Sequence, residues 1–437
     1  MCACMSILRW NILANNSILQ HRLCAVVFIK LPSAFTWQKY NEEELIIMMP
    51  FEKAEYLERL TKVKASMSKR GIDVLLITDP SNMCYLTGHN AWSFYVHQMV
   101  LVDINEEMPY FIGRYMDAFS GVVKTTWLDK EHVRAYSDDH VQSLTKHPMD
   151  YVCTVVKELG LETKTIGVEM DNYYFTARAY QRLAQGLPQT KFVDGDLLVN
   201  WVRIIKSPTE IALQRRAGKI VEKAMQAAID TMGAGVRECD VVAAIYNAQI
   251  RGTEEFGGDY ASIVPLLPAG EAAGAPHLTW TDKPYPDNTV VAVEIAGCHQ
   301  RYHSPMARTI SIGKPSEDVK RTAEITVEGL NAALEMAKPG NTCEQMEAAW
   351  SGVLKKYGFF KESRIGYSMG LNYPPDWGEH TASLRPGDKT VFVPGMTFHC
   401  IPGMYLDNYG VSISESFVIT ETGHETFANF PRKLFVV

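Results

Sequence analysis

The hydrophobic and polar positions of residues 51–196 follow helical and strand-like periods in turn. In Phe51–Arg70 apolar residues recur every three or four positions, which predicts an amphipathic helix. Ile72–Thr78 is a mostly apolar run typical of a buried strand, and we interpret residues 81–88 as strand-like. Further strands are predicted at 99–102 and 109–112, and helices at 141–159 and 177–183. This alternation predicts an α/β domain over residues 48–196.

Residues 211–437 follow a different order, in which a pair of helices precedes strands and the order then repeats. The helices are predicted at 220–232, 238–251, 319–336 and 343–357. Thr289–Ala296 is an apolar, β-branched run long enough for a buried strand, and a second strand is predicted to begin at Ala307. A linker at 197–210 ends in Ser207 and Pro208, which are suited to the start of a helix. The repeated order predicts two similar halves.

Residues 1–47 lack this patterning. They carry scattered lysine and arginine residues and no acid before Glu42. A targeting peptide is one interpretation, but asparagines break the apolar run and no clear cleavage site follows. We favour a start codon assigned too far upstream, with Met48 or Met49 as the natural start, and expect residues 1–47 to be a dispensable extension.

Composition and charge exclude several classes of function. The 437 residues carry a net charge of −7 and no block of basic residues, which argues against nucleic acid as a partner. The longest apolar runs are too short to span a bilayer, so no membrane association is predicted. Nine cysteines without a C-x-x-C pair are typical of reduced thiols in a cytoplasmic protein.

One carboxylate, Glu294, interrupts the apolar run Thr289–Ala296. A carboxylate on a core strand costs several kcal/mol of desolvation unless another group pairs with it. One interpretation is a buried structural ion pair. The other is that Glu294 faces a pocket and binds a cationic ligand or a metal.

Three segments of the sequence resemble a known family. The family is the pita-bread hydrolases, which include methionine aminopeptidases, prolidases and creatinases. Its members carry the motif Asp-x-Gly on a strand, and the matching segment here is Val-Glu294-Ile-Ala. The turn that follows carries Gly-Tyr-x-x-Asp-x-Thr-Arg-Thr in the family, and it is matched here by Tyr302 and Arg308-Thr309. Residues 82–88 and 203–211 resemble the N-x-x-Y-L-T-G and R-x-x-K-x-x-x-E-I segments of creatinases and prolidases. The resemblance implies a creatinase-type α/β domain followed by a pita-bread catalytic domain.

The family resemblance also bears on metal binding. Metal-dependent members hold two divalent ions with two Asp, one His and two Glu side chains. The matching positions of this chain carry Glu294, Pro305, Tyr367, Ile401 and Ser414. Because most of these side chains are not metal ligands, we predict an enzyme without a metal or another cofactor, as in creatinase.

The resemblance to creatinases implies a different set of catalytic groups. His277 matches the histidine that creatinases use as general base or acid, with packing in the core as the alternative. His399 is a candidate second proton carrier. Glu294 and Glu415 are candidates to bind an amidinium or guanidinium, although strand alternation could turn Glu415 away from the pocket.

Aromatic residues supply candidate substrate-binding groups. Trp92, Phe94 and Tyr95 lie in a segment that reaches the partner's active site in related dimers, so a homodimer is predicted; core packing is the alternative. Tyr367 and Tyr373 are candidates to donate hydrogen bonds to a substrate carboxylate.

The motifs together resemble a creatinase-like branch of the family whose substrate is a zwitterionic cyclic amidine. They are SNMCYLTGHNAWSFYVHQ, GRYMDAFSG, PHLTWTD, GYSMGLNYPPDWGE and MTFHCIPGMY. The resemblance implies hydrolytic ring opening, by a water that His277 activates or by Glu294 as nucleophile. A metal-dependent Xaa-Pro dipeptidase, a creatine-type amidinohydrolase and a catalytically inactive binding module remain alternatives.

Overall fold

The structure is a computed structural model that describes residues 49–437, apart from the side chain of Ser120; the prediction for residues 1–47 lies outside this range. Its helices of six residues or more are α1 Lys53–Arg70, α2 Pro80–Thr87, α3 Pro148–Glu158, α4 Ala177–Gly186, α5 Leu198–Arg203, α6 Pro208–Thr231, α7 Glu238–Arg251, α8 Glu317–Glu335 and α9 Cys343–Lys356. Within the described range, no helix is long and apolar enough to cross a membrane. The strands are β1 Val74–Ile77, β2 Met99–Asp103, β3 Tyr110–Arg114, β4 Val133–Tyr136, β5 Thr165–Val168, β6 Lys191–Asp194, β7 Thr289–His299, β8 Tyr302–Ile312, β9 Gly366–Met369, β10 Gly378–Ser383, β11 Thr397–Cys400, β12 Met404–Tyr405, β13 Gly410–Val411, β14 Glu415–Ile419, β15 His424–Thr426 and β16 Phe435–Val436.

The N-terminal part of the described chain is a six-stranded sheet with helices on both faces. The strand order is β4-β3-β2-β1-β5-β6, with β2 antiparallel to both of its neighbours and the remaining pairs parallel. Successive residues of β1 point to opposite faces, so Val74 and Leu76 pack in the core with α3 and α4. Leu75 and Ile77 pack on the other face with α1 and α2. This arrangement confirms the predicted α/β class.

The segment that we interpret from sequence as strand-like, residues 81–88, is instead helix α2. The Asp79 carboxylate accepts a hydrogen bond of 2.7 Å from the Ser81 N–H, and Pro80 occupies the first helical turn. Both residues favour a helix start, which outweighs the apolar, strand-like run that follows. Gly88 ends the helix in the left-handed conformation.

The C-terminal part repeats one plan twice, as its sequence pattern predicts. In the first half, α6 and α7 pack on the β7–β8 hairpin. In the second half, α8 and α9 pack on an antiparallel sheet of order β10-β9-β11-β14-β15. Short strand β16 joins the outer edge of β8 at Ile310 and Ser311.

The β7–β8 hairpin differs from its prediction in where the second strand begins. Strand β8 starts at Tyr302 rather than at Ala307, because Gln300 and Arg301 alone form the turn. Both have positive φ, 51° and 66°, as a two-residue hairpin turn with right-handed strand twist requires. Proline lacks an N–H, and Pro305 is tolerated inside β8 because β16 pairs with this strand only further along.

Buried charges join the two parts of the described chain. Arg203 and Lys206 both contact the Glu379 carboxylate, at 3.2 and 2.7 Å, and Arg203 also donates to the Asn82 side chain of α2 at 2.9 Å. All four side chains are buried. Two cations around one carboxylate offset part of its desolvation, since burial still raises the pKa of Glu379, and their positions make the contact geometrically specific.

Gly297 places β7 directly against α6. A Cβ at this position would overlap the carbonyl oxygen of Ala217 and lie 2.8 Å from the Val221 nitrogen. Because neither backbone group can move alone, we expect Gly297→Ala to lower the free energy of unfolding by about 3 kcal/mol or more. Gly352 of α9 has nothing within 4 Å, so Gly352→Ala is the matched control and should stabilise by ~0.5–1 kcal/mol. Denaturant titration of both variants tests the close approach; equal effects would contradict it.

Candidate active site

Glu294 lies in the middle of β7, and its carboxylate has no hydrogen-bond or ion-pair partner among residues 49–437. Its backbone exchanges two hydrogen bonds with Leu266, at 2.8 and 3.0 Å, and it pairs in register with Ala307. The side chain is half-buried, and no hydrogen-bond donor or cation of residues 49–437 contacts it. Burial, and then the negative charge of Asp376, raise its pKa to about 7. The sequence-based alternative of a structural ion pair at Glu294 is therefore wrong for the described chain.

A row of hydrogen bonds between uncharged side chains crosses the sheet of order β10-β9-β11-β14-β15. His399 Nδ1 lies 3.2 Å from Tyr367 Oη, and His399 Nε2 lies 2.8 Å from Ser414 Oγ. Trp377 Nε1–H donates to Tyr367 Oη at 2.8 Å. Burial, and then the positive charge of Arg308, lower the pKa of His399 to about 3. His399 is therefore a neutral imidazole near pH 7.

Backbone pairing brings this row to Glu294. The Ala307 N–H donates to Ser414 Oγ at 2.6 Å, and Ala307 is directly opposite Glu294 on the hairpin. Burial raises the pKa of Tyr367 well above its usual value, and the charges of Glu294 and Asp376 raise it further. Glu294 and the residues around it form the Glu294 cluster, which comprises Glu294, Tyr367, Asp376, Trp377, His399 and Ser414.

Asp376 and its neighbour His380 are site residues that the sequence interpretation missed. His380 Nε2 lies 2.9 Å from Asp376 Oδ2. Burial raises the pKa of Asp376, but hydrogen bonds from His380 and from the Gly378 N–H outweigh it, so the net pKa is lowered. The same contact with Asp376 raises the pKa of His380. His380 is held at φ 58°, a conformation that is uncommon for a residue other than glycine. The spacing Asp-x-x-x-His, from Asp376 to His380, is the sequence signal that could have indicated this pair.

Arg364 lies on the open side of Tyr367. Its guanidinium carbon is 4.6 Å from the centre of the Tyr367 ring, and Nη1 donates to the Ser383 hydroxyl at 3.0 Å. Ser383 is paired in register with Tyr367, which explains why this bond holds the guanidinium above the ring. Arg364, Asp376 and His380 line one cavity of about 500 Å³.

Two predicted site residues lie away from the Glu294 cluster. His277 is exposed in a turn closed by the Leu278 N–H and the Ala275 carbonyl, and no hydrogen bond of its side chain is found in the described chain. Glu415 is buried and accepts from Arg308 at 2.7 Å and from Arg432 at 3.1 Å. In register it faces Cys400, whereas its neighbour Ser416 faces His399. The proposal that Glu415 binds substrate is therefore corrected: strand alternation turns it away.

The predicted aromatic residues form a separate group beside the site. Trp92 packs on Phe94 with ring centres 4.7 Å apart, and Phe94 packs on Tyr373 at 5.5 Å. The Tyr373 hydroxyl donates to the Asn90 side chain at 2.8 Å, so it is already occupied. Tyr95 accepts a hydrogen bond of 3.0 Å from Arg114. Tyr373 and Asp376 line one cavity of about 250 Å³, so this group adjoins the Glu294 cluster.

The side chains present do not fit a dinuclear metal centre. Of the five family ligand positions, Glu294 alone supplies a carboxylate; Ser414 Oγ is bonded to Ala307 and His399, and Tyr367 to Trp377 and His399. Within residues 49–437 no group of three or more His, Cys, Asp or Glu side chains could hold a metal ion. A pair of divalent ions needs several anionic oxygen ligands, and this donor set lacks them.

Comparisons with known proteins give the family. The model of the Creatinase/Prolidase N-terminal domain matches residues 59–205, and that of Metallopeptidase family M24 matches residues 212–421. The chain is 47% identical over 397 residues to the ectoine hydrolase of Halomonas elongata, which covers 89% of this chain and 99% of that protein. It is 44% identical over 389 residues to an uncharacterized hydrolase/peptidase of Sinorhizobium fredii, with coverage of 89% and 99%.

A solved structure agrees with the fold. The prolidase from Thermococcus sibiricus superposes with a TM-score of 0.76 over 87% of this chain and 99% of that one, at 23% identity, which shows a shared fold. The chain belongs to the creatinase-like pita-bread hydrolases, which combine a creatinase/prolidase N-terminal domain with a catalytic domain of the M24 family.

Proposed function

We propose that this chain hydrolyses ectoine and opens its ring to an N-acetylated diaminobutyrate. Ectoine is a cyclic amidine with a carboxylate and is a zwitterion at neutral pH. The observation that carries the proposal is the Glu294 carboxylate, which is desolvated and unpaired within the described chain. The similarity to the ectoine hydrolase of Halomonas elongata supports the same substrate.

The electrostatics of Glu294 suit a planar cation. Its pKa of about 7 means that the ionised form of Glu294 is costly without a bound cation. An amidinium that donates N–H groups to the carboxylate supplies the missing positive charge and lowers this pKa, so binding and ionisation support each other. The positive charge also makes the amidine carbon electrophilic.

The reaction adds one water across one C–N bond. The water oxygen attacks the amidine carbon while a base takes a proton, and the tetrahedral carbon then collapses as one ring nitrogen leaves with a proton. The family resemblance implies His277 as the base; its side chain is exposed and outside the Glu294 cluster, so in this proposal the turn at residues 275–278 closes toward the site during catalysis. His380 is the proton donor that the structure adds, because Asp376 raises its pKa.

His399 has a positioning role in this scheme. As a neutral ring between Tyr367 and Ser414, it fixes the phenol beside Glu294 and is too weakly basic to carry a proton near pH 7. Trp92, Phe94 and Tyr95 are assigned to the wall of the substrate site. We further propose that the reaction needs no metal, because the donor set does not fit one.

We also propose a homodimer. More than half of the surface of Trp92 and of Tyr95 is exposed, 57% and 64%, beside the Glu294 cluster. Large exposed aromatic side chains mark interaction surfaces, and a second copy is the partner that the family resemblance implies. The six cysteines of residues 49–437 are free thiols, which supports a reducing, cytoplasmic compartment.

Glu294→Gln should abolish ring opening and stabilise the fold. Removing the charge that pairs with the amidinium should lower kcat/KM for ectoine by about a hundredfold or more. Because the folded pKa of Glu294 is raised above the ordinary carboxyl value, its contribution to stability is full at low pH and is lost as pH rises through about 7. At pH 8 the variant should therefore be more stable by ~1–3 kcal/mol, and at pH 4 the gain should vanish.

The measurements are NMR-monitored ring opening and thermal unfolding at both pH values. A variant that opens ectoine within a few fold of wild type, or that is less stable at pH 8, would show that Glu294 is a structural residue. Mass spectrometry of quenched wild-type enzyme separates the two nucleophiles, since a covalent adduct on Glu294 would replace water in the first step.

Activity should survive chelation. Pro305, Tyr367 and Ile401 replace three family ligands, so dialysis against EDTA should change kcat/KM by less than about twofold. Elemental analysis of the dialysed and untreated enzyme is the control. Stoichiometric zinc or manganese, with turnover lost on its removal, would overturn the metal-free proposal and favour an Xaa-Pro dipeptidase.

Hybrid dimers should regain activity if two subunits share a site. We expect Trp92→Ala and Glu294→Gln each to be poorly active alone and their mixture to recover turnover, because a hybrid dimer contains one site with both native groups. Tagged subunits verify exchange. Demonstrated exchange without recovery would assign Trp92 to its own subunit's site.

A further inference from the structure

The described chain contains one guanidinium at the Glu294 cluster whose donors remain largely unused. Arg364 makes one side-chain hydrogen bond, from Nη1 to Ser383, and among residues 49–437 no carboxylate forms an ion pair with it. The buried arginines of the described chain are engaged differently: Arg59 pairs with Glu55, Arg203 with Glu379, Arg308 with Glu415, and Arg301 with backbone and hydroxyl oxygens.

We propose that Arg364 binds the carboxylate of the zwitterionic substrate and thereby sets the specificity of the site. This inference rests on the proposed function. A planar guanidinium with free N–H groups matches a carboxylate in two parallel hydrogen bonds. No covalent step involves Arg364.

The position of Tyr367 supports this pairing of charges. Glu294 and Asp376 raise the pKa of Tyr367, and Arg364 lowers it, so charges of both signs act on this tyrosine. The substrate carries a cationic amidinium and an anionic carboxylate on one small ring. Glu294 and Arg364, which both act on Tyr367, provide the complementary charges.

Competing partners for Arg364 are already occupied. The Asp376 carboxylate accepts from His380 at 2.9 Å and from the Gly378 N–H at 2.9 Å. The phenols that the sequence offered for the carboxylate are occupied too: Tyr367 Oη contacts Trp377 and His399, and Tyr373 donates to Asn90. The role of carboxylate anchor therefore passes from the tyrosines to Arg364.

The stacking of Arg364 on Tyr367 holds the guanidinium in place. The cation lies over the ring face at 4.6 Å, and Ser383 fixes one nitrogen from the paired strand. Such a stacked, hydrogen-bonded guanidinium loses little conformational freedom when it binds a ligand. Lys361, near the Tyr405 ring at 5.2 Å, is the rival cation.

The test compares ectoine with the same methylated tetrahydropyrimidine ring without its carboxylate. Arg364→Gln should lower kcat/KM for ectoine about a hundredfold and leave that for the ring without a carboxylate within about threefold. Arg364→Lys should recover part of the loss. Arg251, at the end of α7, is exposed and lies outside this cavity, so Arg251→Gln is the matched control and should change neither substrate by more than about threefold.

Each other outcome has a defined meaning. Equal losses on both substrates would make Arg364 a structural residue, and a carboxylate-selective loss in Lys361→Gln instead would assign the anchor to Lys361; either result overturns the inference while the proposed function stands. Failure of the wild type to open ectoine would overturn the proposed function and, with it, the role of Arg364. Thermal unfolding of every variant establishes that the fold is intact.

Discussion

Desolvation of a single carboxylate is the constraint around which the catalytic half is arranged. Glu294 is held in mid-strand by Leu266 on one side and Ala307 on the other, and its side chain is half-buried. The close approach of α6 at Gly297 fixes the strand further. The resulting rise in pKa is a cost to the folded state, and the same cost becomes affinity when a cation enters.

Around Glu294, uncharged side chains that hydrogen-bond to one another stand in place of the family's metal ligands. Ser414, His399, Tyr367 and Trp377 satisfy one another in a row, and Ser416 donates to the Pro305 carbonyl at 2.6 Å. None of these groups carries a charge near pH 7 that could neutralise Glu294. In the proposed function, the frame of a metal-binding fold is kept and the cationic substrate completes its charge balance.

The segment 376–380 connects the junction of the two parts of the chain to the candidate active site. Glu379 is fixed by Arg203 and Lys206 at the junction of the two parts, and its neighbours Asp376 and His380 flank the site. A strained φ at His380 persists because this anchoring over-determines the backbone. The residues that join the two parts of the chain therefore also orient the side chains of Asp376 and His380.

Periodicity along the chain determined the helices, the central strands, the repeated halves and the isolated carboxylate Glu294, because these depend on local spacing and on the cost of burying charge. Residues 80–87 were misassigned because capping by Asp79 and Pro80 outweighed an apolar run. Which charges meet was decided largely by tertiary structure. Strand register turned Glu415 toward Arg308, and pairing of β9 with β10 placed Arg364 over Tyr367. The Asp376–His380 pair had a local signal, its four-residue spacing. Contacts that depend on strand register have distances that no local pattern of the sequence encodes.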